Sequence, residues 1–433
     1  MGSILSSHSV KKVVLVQVIA LCLALSFGTV TAESLDNHST IEALIAEAVH
    51  NNPELKAFQR RIEAFEQRPS QARSLDDPMV RLGVANLPVD TFSFDQEAMT
   101  QKQVQVMQKF PFPGTLDLKG NIAEKDLAVT RTEFDEKKNS LIRQVKTLYN
   151  NLLFLDRAIA ISGDNRDLLA EVITTAETQY AAGRGGQQEI IKARMELSGI
   201  IQKVLMLRQQ RETAAALLNT LLNRPVQNDL EIPGELHQTP LAFTLDELKK
   251  IAEETRPALN GLQQRIEQSG LAIDLAEREY YPGMEVGLGY GQREDSETAE
   301  RPDFFSASVT VNIPLWYRTK ESRKVAEKRA DLRRAEEQYA TVRNSIHFRL
   351  KELLSQIEMN RQKIELFETG FIPQSTVSLE SALSGYRVNK VDFLTLIYNQ
   401  IALYNFKIEY YRAITDHENS LAELEETAGR RLF

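Results

Sequence analysis

The chain carries one sequence pattern twice, about 204 residues apart, and this duplication limits its fold more than any other feature. Pro53 is followed 25 residues later by Pro78, and Pro257 is followed at the same distance by Pro282. A period of this length is far longer than the roughly 20–50 residues of solenoid repeats. The sequence therefore predicts two copies of one large unit, packed about a pseudo-two-fold axis.

Three further features recur in the two copies. They are an alternating strand-like segment after each second proline, a strand end at Pro111 and Pro314, and a Tyr-x-x-(Gly/Asn) turn at Tyr180–Gly183 and Tyr386–Asn389. We predict a first repeat at 33–225, a second repeat at 244–429 and a short tail at 430–433. Residues 226–243 are predicted to be a linker, because they contain Pro233, Gly234 and Pro240.

Each repeat is predicted to contain a helix, a β-hairpin, a very long helix, a turn and a medium helix. The predicted helices cover 41–72, 115–182, 187–223, 244–280, about 70 residues from Arg318, and 392–428, and the hairpins cover 78–110 and 283–313. Gly163, and Gly370 with Pro373, are predicted to bend or break the long helices. Two medium helices stacked end to end would match one long helix in length.

Apolar residues repeat every seven positions in the long helices. One series is Val325, Leu332, Tyr339, Ile346, Leu353, Asn360 and Phe367, in which Asn360 is the single polar member. Seven-residue apolar spacing winds helices around each other in a left-handed coil. We therefore expect coiled-coil packing, with these residues at the contacts between helices.

Residues 1–32 have the composition of a signal peptide. Lys11 and Lys12 precede an apolar run at 13–27, and a small-residue cleavage site follows at Val30–Ala32. An N-terminal membrane anchor is the alternative, but the run is shorter than the ~20 residues that span a bilayer. The only cysteine, Cys22, lies in this segment. The mature chain is therefore predicted to have no disulfide and no thiolate metal site.

The charge and the scattered polar residues exclude several functional classes. The net charge is −8, and removing Lys11 and Lys12 with the signal peptide makes it −10, which disfavours nucleic-acid binding. Gly183–Gly186 is not a phosphate-binding loop, because no Lys-Ser/Thr follows it. No pair of histidines has the i, i+4 spacing of a metal-binding helix. We predict no catalytic, cofactor-binding or metal-binding residues and no enzymatic activity.

The predicted strands have one apolar and one polar face, as in membrane β-barrels. A small sheet packed on a helical bundle would alternate in the same way. The predicted export of the chain and the aromatic residues at the strand ends favour the membrane sheet. These aromatic residues are Phe110, Phe112, Tyr280, Tyr281, Trp316 and Tyr317 at one end and Phe92, Phe94, Phe304 and Phe305 at the other. Four strands cannot close a barrel, and lipid does not tolerate open edges. Three protomers would supply twelve strands.

These features together resemble the TolC-like outer-membrane efflux family. The resemblance rests on the duplication and on two motifs, the pair Tyr180–Ala193 and Tyr386–Ile397, and Gln108–Gly114, which is similar to the heavy-metal branch of that family. It implies a mainly α fold with a small β part: a homotrimer with a twelve-stranded transmembrane β-barrel in outer-membrane lipid above a twelve-helix, coiled-coil periplasmic tunnel. The implied partners are a periplasmic adaptor protein and an inner-membrane RND-type pump.

Three positions depart from the family pattern. Asn389 stands where the family usually has glycine, and asparagine tolerates the left-handed conformation that the turn needs. Cys22 follows Leu21 rather than a small residue, which disfavours lipid attachment. Tyr398 occupies a position near the tip where some members have an aspartate ring, so a cation filter of that type is not expected.

The resemblance implies a passive exit duct with a gate and an adaptor contact at the helix turns. The candidate residues are Tyr180, Gly183, Arg184, Glu189, Tyr386, Arg387, Asn389, Lys390 and Asp392. The alternative for the charged members is an ordinary solvated helix end. Two other functions stay open from the sequence: an outer-membrane duct for type I protein secretion, and a coiled-coil scaffold in the periplasm.

Overall fold

The computed structural model describes residues 40–433, so the predicted signal peptide and Cys22 lie outside the described residues. The first half of the chain contains α1 (Ile41–Asn51), α2 (Pro53–Glu66), α3 (Arg68–Arg73), β1 (Met79–Ala85), β2 (Gln101–Phe110), α4 (Thr115–Ala181) and α5 (Gln187–Leu221). The second half contains α6 (Leu245–Thr255), α7 (Pro257–Arg278), β3 (Met284–Gln292), β4 (Phe304–Val311), α8 (Glu321–Leu366), a π-helical segment (Phe367–Phe371), α9 (Ile372–Arg387) and α10 (Phe393–Ala428).

The order of elements agrees with the sequence prediction in both halves, but the first helical segment of each half is divided. The chain leaves the helical conformation at Asn52 and at Arg256, each just before a proline. Proline disfavours the helical conformation in the residue before it, and its own missing N–H suits the first turn of a helix. The predictions of single helices at 41–72 and 244–280 were therefore wrong at these two positions.

The two predicted interruptions of the long helices differ in outcome. The helix α4 continues through Gly163, so a break at this position was wrongly predicted. The other long helix contains the π-helical segment directly before Pro373, which confirms an irregularity at Gly370. Because proline has no N–H to complete the helical ladder, a wider turn in front of it is a common adjustment.

Each medium helix ends against the proline-initiated helix of its own half. The side chain of Asn52 donates to the carbonyl of Leu221 over 3.1 Å, and the hydroxyl of Thr255 donates to the carbonyl of Ala428 over 2.8 Å. The helix α5 therefore continues into α2, and α10 continues into α7. We expected the two medium helices to stack on each other; instead, each extends a helix from its own half.

Gly429 makes the second junction possible. Its φ of +85° lies in the left-handed region, and a Cβ atom there would lie 2.6 Å from Cα of Arg256. We expect Gly429→Ala to lower the free energy of unfolding by at least about 1–2 kcal/mol, because an L-residue is strained in this conformation. Thermal unfolding in detergent, followed by circular dichroism, measures the change.

Gly163→Ala is the matched control for this substitution. Gly163 lies within a continuous helix, and a Cβ atom there would have no neighbour within 4 Å. Alanine should therefore stabilise α4 by roughly 0.5–1 kcal/mol. Equal melting temperatures for the two variants would contradict the role of Gly429.

The four strands form one antiparallel sheet in the order β1-β2-β3-β4. The register places the apolar side chains of all four strands on the same face: Val80, Leu82, Val84, Val104, Val106, Val286, Leu288, Tyr290, Phe305, Ala307, Val309 and Val311. Most of them are exposed, and Leu82 is 74% exposed. The sheet therefore presents a continuous apolar face that the helices of the same chain do not cover.

The opposite face of the sheet is polar and crowded. A Cβ atom on Gly287 would lie 2.6 Å from Oγ of Ser308, and one on Gly289 would lie 2.5 Å from Oγ of Ser306. Side chains converge on the concave side of a curved sheet, where glycine relieves the crowding. We infer that the polar face is concave and the apolar face is convex.

Candidate functional site at the helix turns

The turn after α4 and the turn after α9 have the same backbone geometry. Gly183 and Asn389 adopt left-handed conformations with φ of +70° and +60°. In the first turn the N–H of Arg184 donates to the carbonyl of Gln179 over 2.9 Å, and in the second the N–H of Lys390 donates to the carbonyl of Gly385 over 2.8 Å. These are the bonds of a Schellman helix end. The expected tolerance of Asn389 for this conformation is thus seen in the turn itself.

Tyr386 links the second turn to the first. Its side chain is only 3% exposed, and its hydroxyl donates to Oε2 of Glu189 over 3.1 Å. Its carbonyl accepts from Nε2 of Gln179 over 3.1 Å. Both contacts join the α4–α5 hairpin to the α9–α10 hairpin. Burial raises the pKa of Tyr386, and the charge of Glu189 and its hydrogen bond raise it further, so the phenol remains a donor at neutral pH.

Tyr180, the counterpart of Tyr386 in the first turn, has a different environment. Its side chain is 48% exposed and forms no hydrogen bond with another residue of 40–433. The two tyrosines look equivalent in the sequence, but only Tyr386 packs against the core of the tip, where its ring meets that of Phe393 edge to face at 6.0 Å. The contact between the hairpins is therefore asymmetric.

The remaining candidate residues have simpler roles. Arg387 forms an exposed ion pair of 2.8 Å with Glu171 of α4, a type of contact that stabilises little. Asp392 caps α10 by accepting from the N–H of Thr395 over 3.0 Å, and this bond lowers the pKa of Asp392. The side chains of Arg184 and Lys390 are exposed, and neither forms an ion pair within the described part of the chain.

Sequence reasoning missed Gln179 and Glu171 as members of this site. Gln179 directly precedes Tyr180, and the matching position before Tyr386 is Gly385. A side chain at Gly385 would collide with Val391, since a Cβ atom would lie 2.5 Å from Cγ2. The unequal pair of Gln179 and Gly385 was the available sequence signal that the two turns differ.

The helices of the tip enclose one apolar core, which contains a polar layer near the end that is farther from the turns. The buried core residues are Leu169, Val172, Ile173, Ala176, Ala193, Leu379, Ala382, Tyr386, Phe393, Leu396, Ile397 and Leu403. Between the core residues Ile397 and Leu403 of α10, Nε2 of the buried Gln400 donates to Oδ1 of Asn165 over 3.0 Å. The hydroxyls of Ser162 and Tyr404 lie 3.1 Å apart in the same layer.

The polar layer lies beside an irregular part of the second hairpin. A cavity of about 370 Å³ is lined by Asn165, Gln400 and Tyr404 and also by Glu368 of the π-helical segment. Oε1 of Gln400 has no hydrogen-bond partner among residues 40–433. The cavity and the widened helical turn therefore occur at the same level along the long helices, between the tip and the remaining length of these helices.

Within residues 40–433, no group of three or more histidine, cysteine, aspartate or glutamate side chains could hold a metal ion.

Among the helices that the structure describes, none is both long and apolar enough to cross a bilayer.

Comparisons with known proteins agree on one fold. Residues 44–224 match the family model of the outer membrane efflux proteins. The structure of the outer-membrane channel OprN matches with 15% identity and a TM-score of 0.77, over 90% of this chain and 89% of that one. The fold is that of an outer-membrane channel. The family match and this shared fold together indicate an outer-membrane location.

Two further solved channels show the same similarity. The outer membrane protein VceC of Vibrio cholerae matches with 15% identity and a TM-score of 0.76, over 90% of this chain and 96% of that one. The channel CusC matches with 12% identity and a TM-score of 0.75, over 91% and 93%. No match was found among curated proteins. The near-equal scores do not single out any branch, so membership of the heavy-metal branch stays a prediction.

Proposed function

We propose that this chain is the outer-membrane channel of a tripartite efflux system, a passive exit duct for cargo delivered by an inner-membrane pump through a periplasmic adaptor. The observation that carries the proposal is the sheet, whose convex apolar face is exposed and whose β1 and β4 edges are unpaired within residues 40–433. Such a sheet suits lipid only when other copies cover its edges. A periplasmic scaffold would have no use for this face.

A homotrimer accounts for both the number of strands in the sheet and the length of the helices. Three copies of the four-stranded sheet give twelve strands, enough to leave a water-filled lumen lined by the concave polar face. The helix α4 has 67 residues and is therefore about 100 Å long. Three protomers would place six long helical arms around a tunnel that continues the lumen away from the membrane.

The turns are the proposed gate and adaptor contact. The hydrogen bonds of Tyr386 with Glu189 and Gln179 hold the two hairpins together at the tip. Loss of these bonds would let the α9–α10 hairpin move away from α4–α5. The π-helical segment and the polar layer of Asn165 and Gln400 lie where such a movement would bend the arm. A bound adaptor would shift this equilibrium towards the open state.

The cargo is proposed from the resemblance alone. The Gln108–Gly114 motif favours heavy-metal cations as the transported class. A strain that lacks the gene should then lose resistance to zinc, cobalt or copper and keep its resistance to dyes and detergents. Loss of dye or detergent resistance alone would exclude a metal-specific system and leave the channel function intact.

The decisive test of the channel function is reconstitution of the purified mature chain. We expect a detergent-dependent trimer that inserts into planar bilayers and gives discrete single-channel conductance steps. The steps should be small without an adaptor, because the tips are closed. A stable monomer in buffer without detergent, or a trimer without conductance, would contradict the proposal.

A further inference from the structure

The segment that joins β4 to α8 is unusually exposed. Ile313, Leu315 and Trp316 are apolar, and Trp316 is 74% exposed. The backbone of the segment is nevertheless ordered by local bonds, because the N–H groups of Thr319 and Lys320 both donate to the carbonyl of Trp316 over 3.0 Å. The apolar side chains therefore project from a fixed turn and have no cover from the described chain.

The corresponding segment of the first half is covered. After β2, the ring of Phe112 stacks on that of Tyr281 with centroids 4.5 Å apart, and the guanidinium of Arg278 lies 5.8 Å from the same ring. The exposure after β4 is thus not a general property of the strand-to-helix turn. It is confined to the half that carries the only tryptophan of the chain.

Cations follow the exposed apolar residues directly. Arg318, Lys320 and Arg323 are all exposed. Within residues 40–433, the one carboxylate at ion-pair distance from these three is that of Glu321, 3.6 Å from Lys320. Nε of Arg318 donates to the hydroxyl of Tyr317 over 3.3 Å, which holds the aromatic ring and the cation side by side. Lys324 differs from these three, since it pairs with Glu279 at 2.5 Å.

The order of these residues matches the layers of a bilayer. Ile313 continues the convex apolar face of β4, two residues beyond Val311, and Trp316, Tyr317 and Arg318 come next. Apolar residues suit the acyl region, tryptophan and tyrosine suit the interface, and arginine and lysine suit the phosphate level. A second protomer would meet the edge of β4, whereas Ile313 continues its outer face.

We propose that segment 313–323 binds anionic phospholipid of the bilayer leaflet on the helical side, with Trp316 among the headgroups and the cations of Arg318, Lys320 and Arg323 on the headgroup phosphates. The inference rests on the proposed function, because it requires the sheet to lie in a membrane. Each cation close to an anionic surface should contribute on the order of five-fold to the preference for anionic lipid.

The single tryptophan allows a test on the unaltered chain. The trimer is reconstituted in vesicles of phosphatidylcholine and phosphatidylglycerol at fixed total lipid, with bromine on the acyl chains of one lipid at a time. Quenching of Trp316 fluorescence then gives the relative occupancy of the two lipids next to this residue. We expect phosphatidylglycerol to be preferred by about ten-fold or more in the wild type.

The matched variant is Arg318→Ser with Lys320→Ser and Arg323→Ser, which keeps Trp316. The preference of this variant for phosphatidylglycerol over phosphatidylcholine should fall to a ratio near one, while its single-channel conductance stays that of the wild type. Equal quenching by the two lipids in the wild type would overturn the proposal, as would Trp316 fluorescence that neither brominated lipid quenches, the result expected if a neighbouring protomer covers it. Failure of the proposed function is distinguished by absent insertion and conductance in the same vesicles.

Discussion

Leu82→Arg should prevent stable insertion of the channel into bilayers. Leu82 lies at the centre of β1 on the convex apolar face and is 74% exposed. An arginine at the lipid midplane of a barrel costs about 2–4 kcal/mol. Three protomers would therefore lose roughly 6–12 kcal/mol per trimer, against a total stability that is small for most proteins. Vesicle flotation and the fraction of trimer on mild electrophoresis measure the loss.

The matched control places the same side chain on the opposite face. Gln103→Arg lies in β2 on the polar face, paired with Gly83 and Gly291. If this face lines a wet lumen, the trimer should insert as the wild type does, and only its ion selectivity should shift towards anions. Normal insertion of Leu82→Arg, or failure of both variants alike, would contradict the assignment of the two faces.

The sheet was predictable because its signals are local. Alternation has a period of two, so Val80, Leu82 and Val84 share a face whatever the rest of the chain does. The breaks at Asn52 and Arg256 could also have been predicted, since each residue precedes a proline. Gly163 shows the limit of such rules. One glycine costs a helix about 1 kcal/mol, and a neighbouring helix packed along α4 easily outweighs that.

The tip was predicted only in part, because its decisive contacts are not local. The turns were visible in the sequence, but the partner of Tyr386 lies 197 residues away in Glu189. The one local difference, Gln179 before Tyr180 and Gly385 before Tyr386, signals that the turns are unequal but does not identify the partner of either tyrosine. The stacking of α10 on α7 was also missed, since the fit depends on Gly429 approaching the backbone of Arg256. Side-chain pairing between distant helices is set by the fold as a whole.

Tyr386→Phe should open the channel in the absence of any adaptor. The substitution keeps the ring in its place beside Phe393 and removes only the hydroxyl that donates to Glu189. A hydrogen bond to a charged group contributes about 1.5–3 kcal/mol. If the three tips open together, a loss of about 1.5 kcal/mol in each protomer shifts the open-to-closed ratio by roughly 10³-fold. Single-channel conductance and open probability in planar bilayers report the change.

Tyr180→Phe is the control that separates this bond from a general effect of tyrosine at the tip. The Tyr180 hydroxyl has no partner among residues 40–433, so conductance should stay that of the wild type.

The pH dependence of the closed state adds a second test. Because the pKa of Tyr386 is raised above its usual value of about 10, the bond stabilises the closed tip fully below that pH and is lost only as the pH rises through the higher folded value. Closure should therefore be unaffected by Tyr386 ionisation between about pH 7 and 9. Unchanged conductance in Tyr386→Phe, or equal opening by both variants, would show that the hydrogen bond between Tyr386 and Glu189 does not hold the gate closed. The packing of the tip core would then be the interaction that keeps it closed.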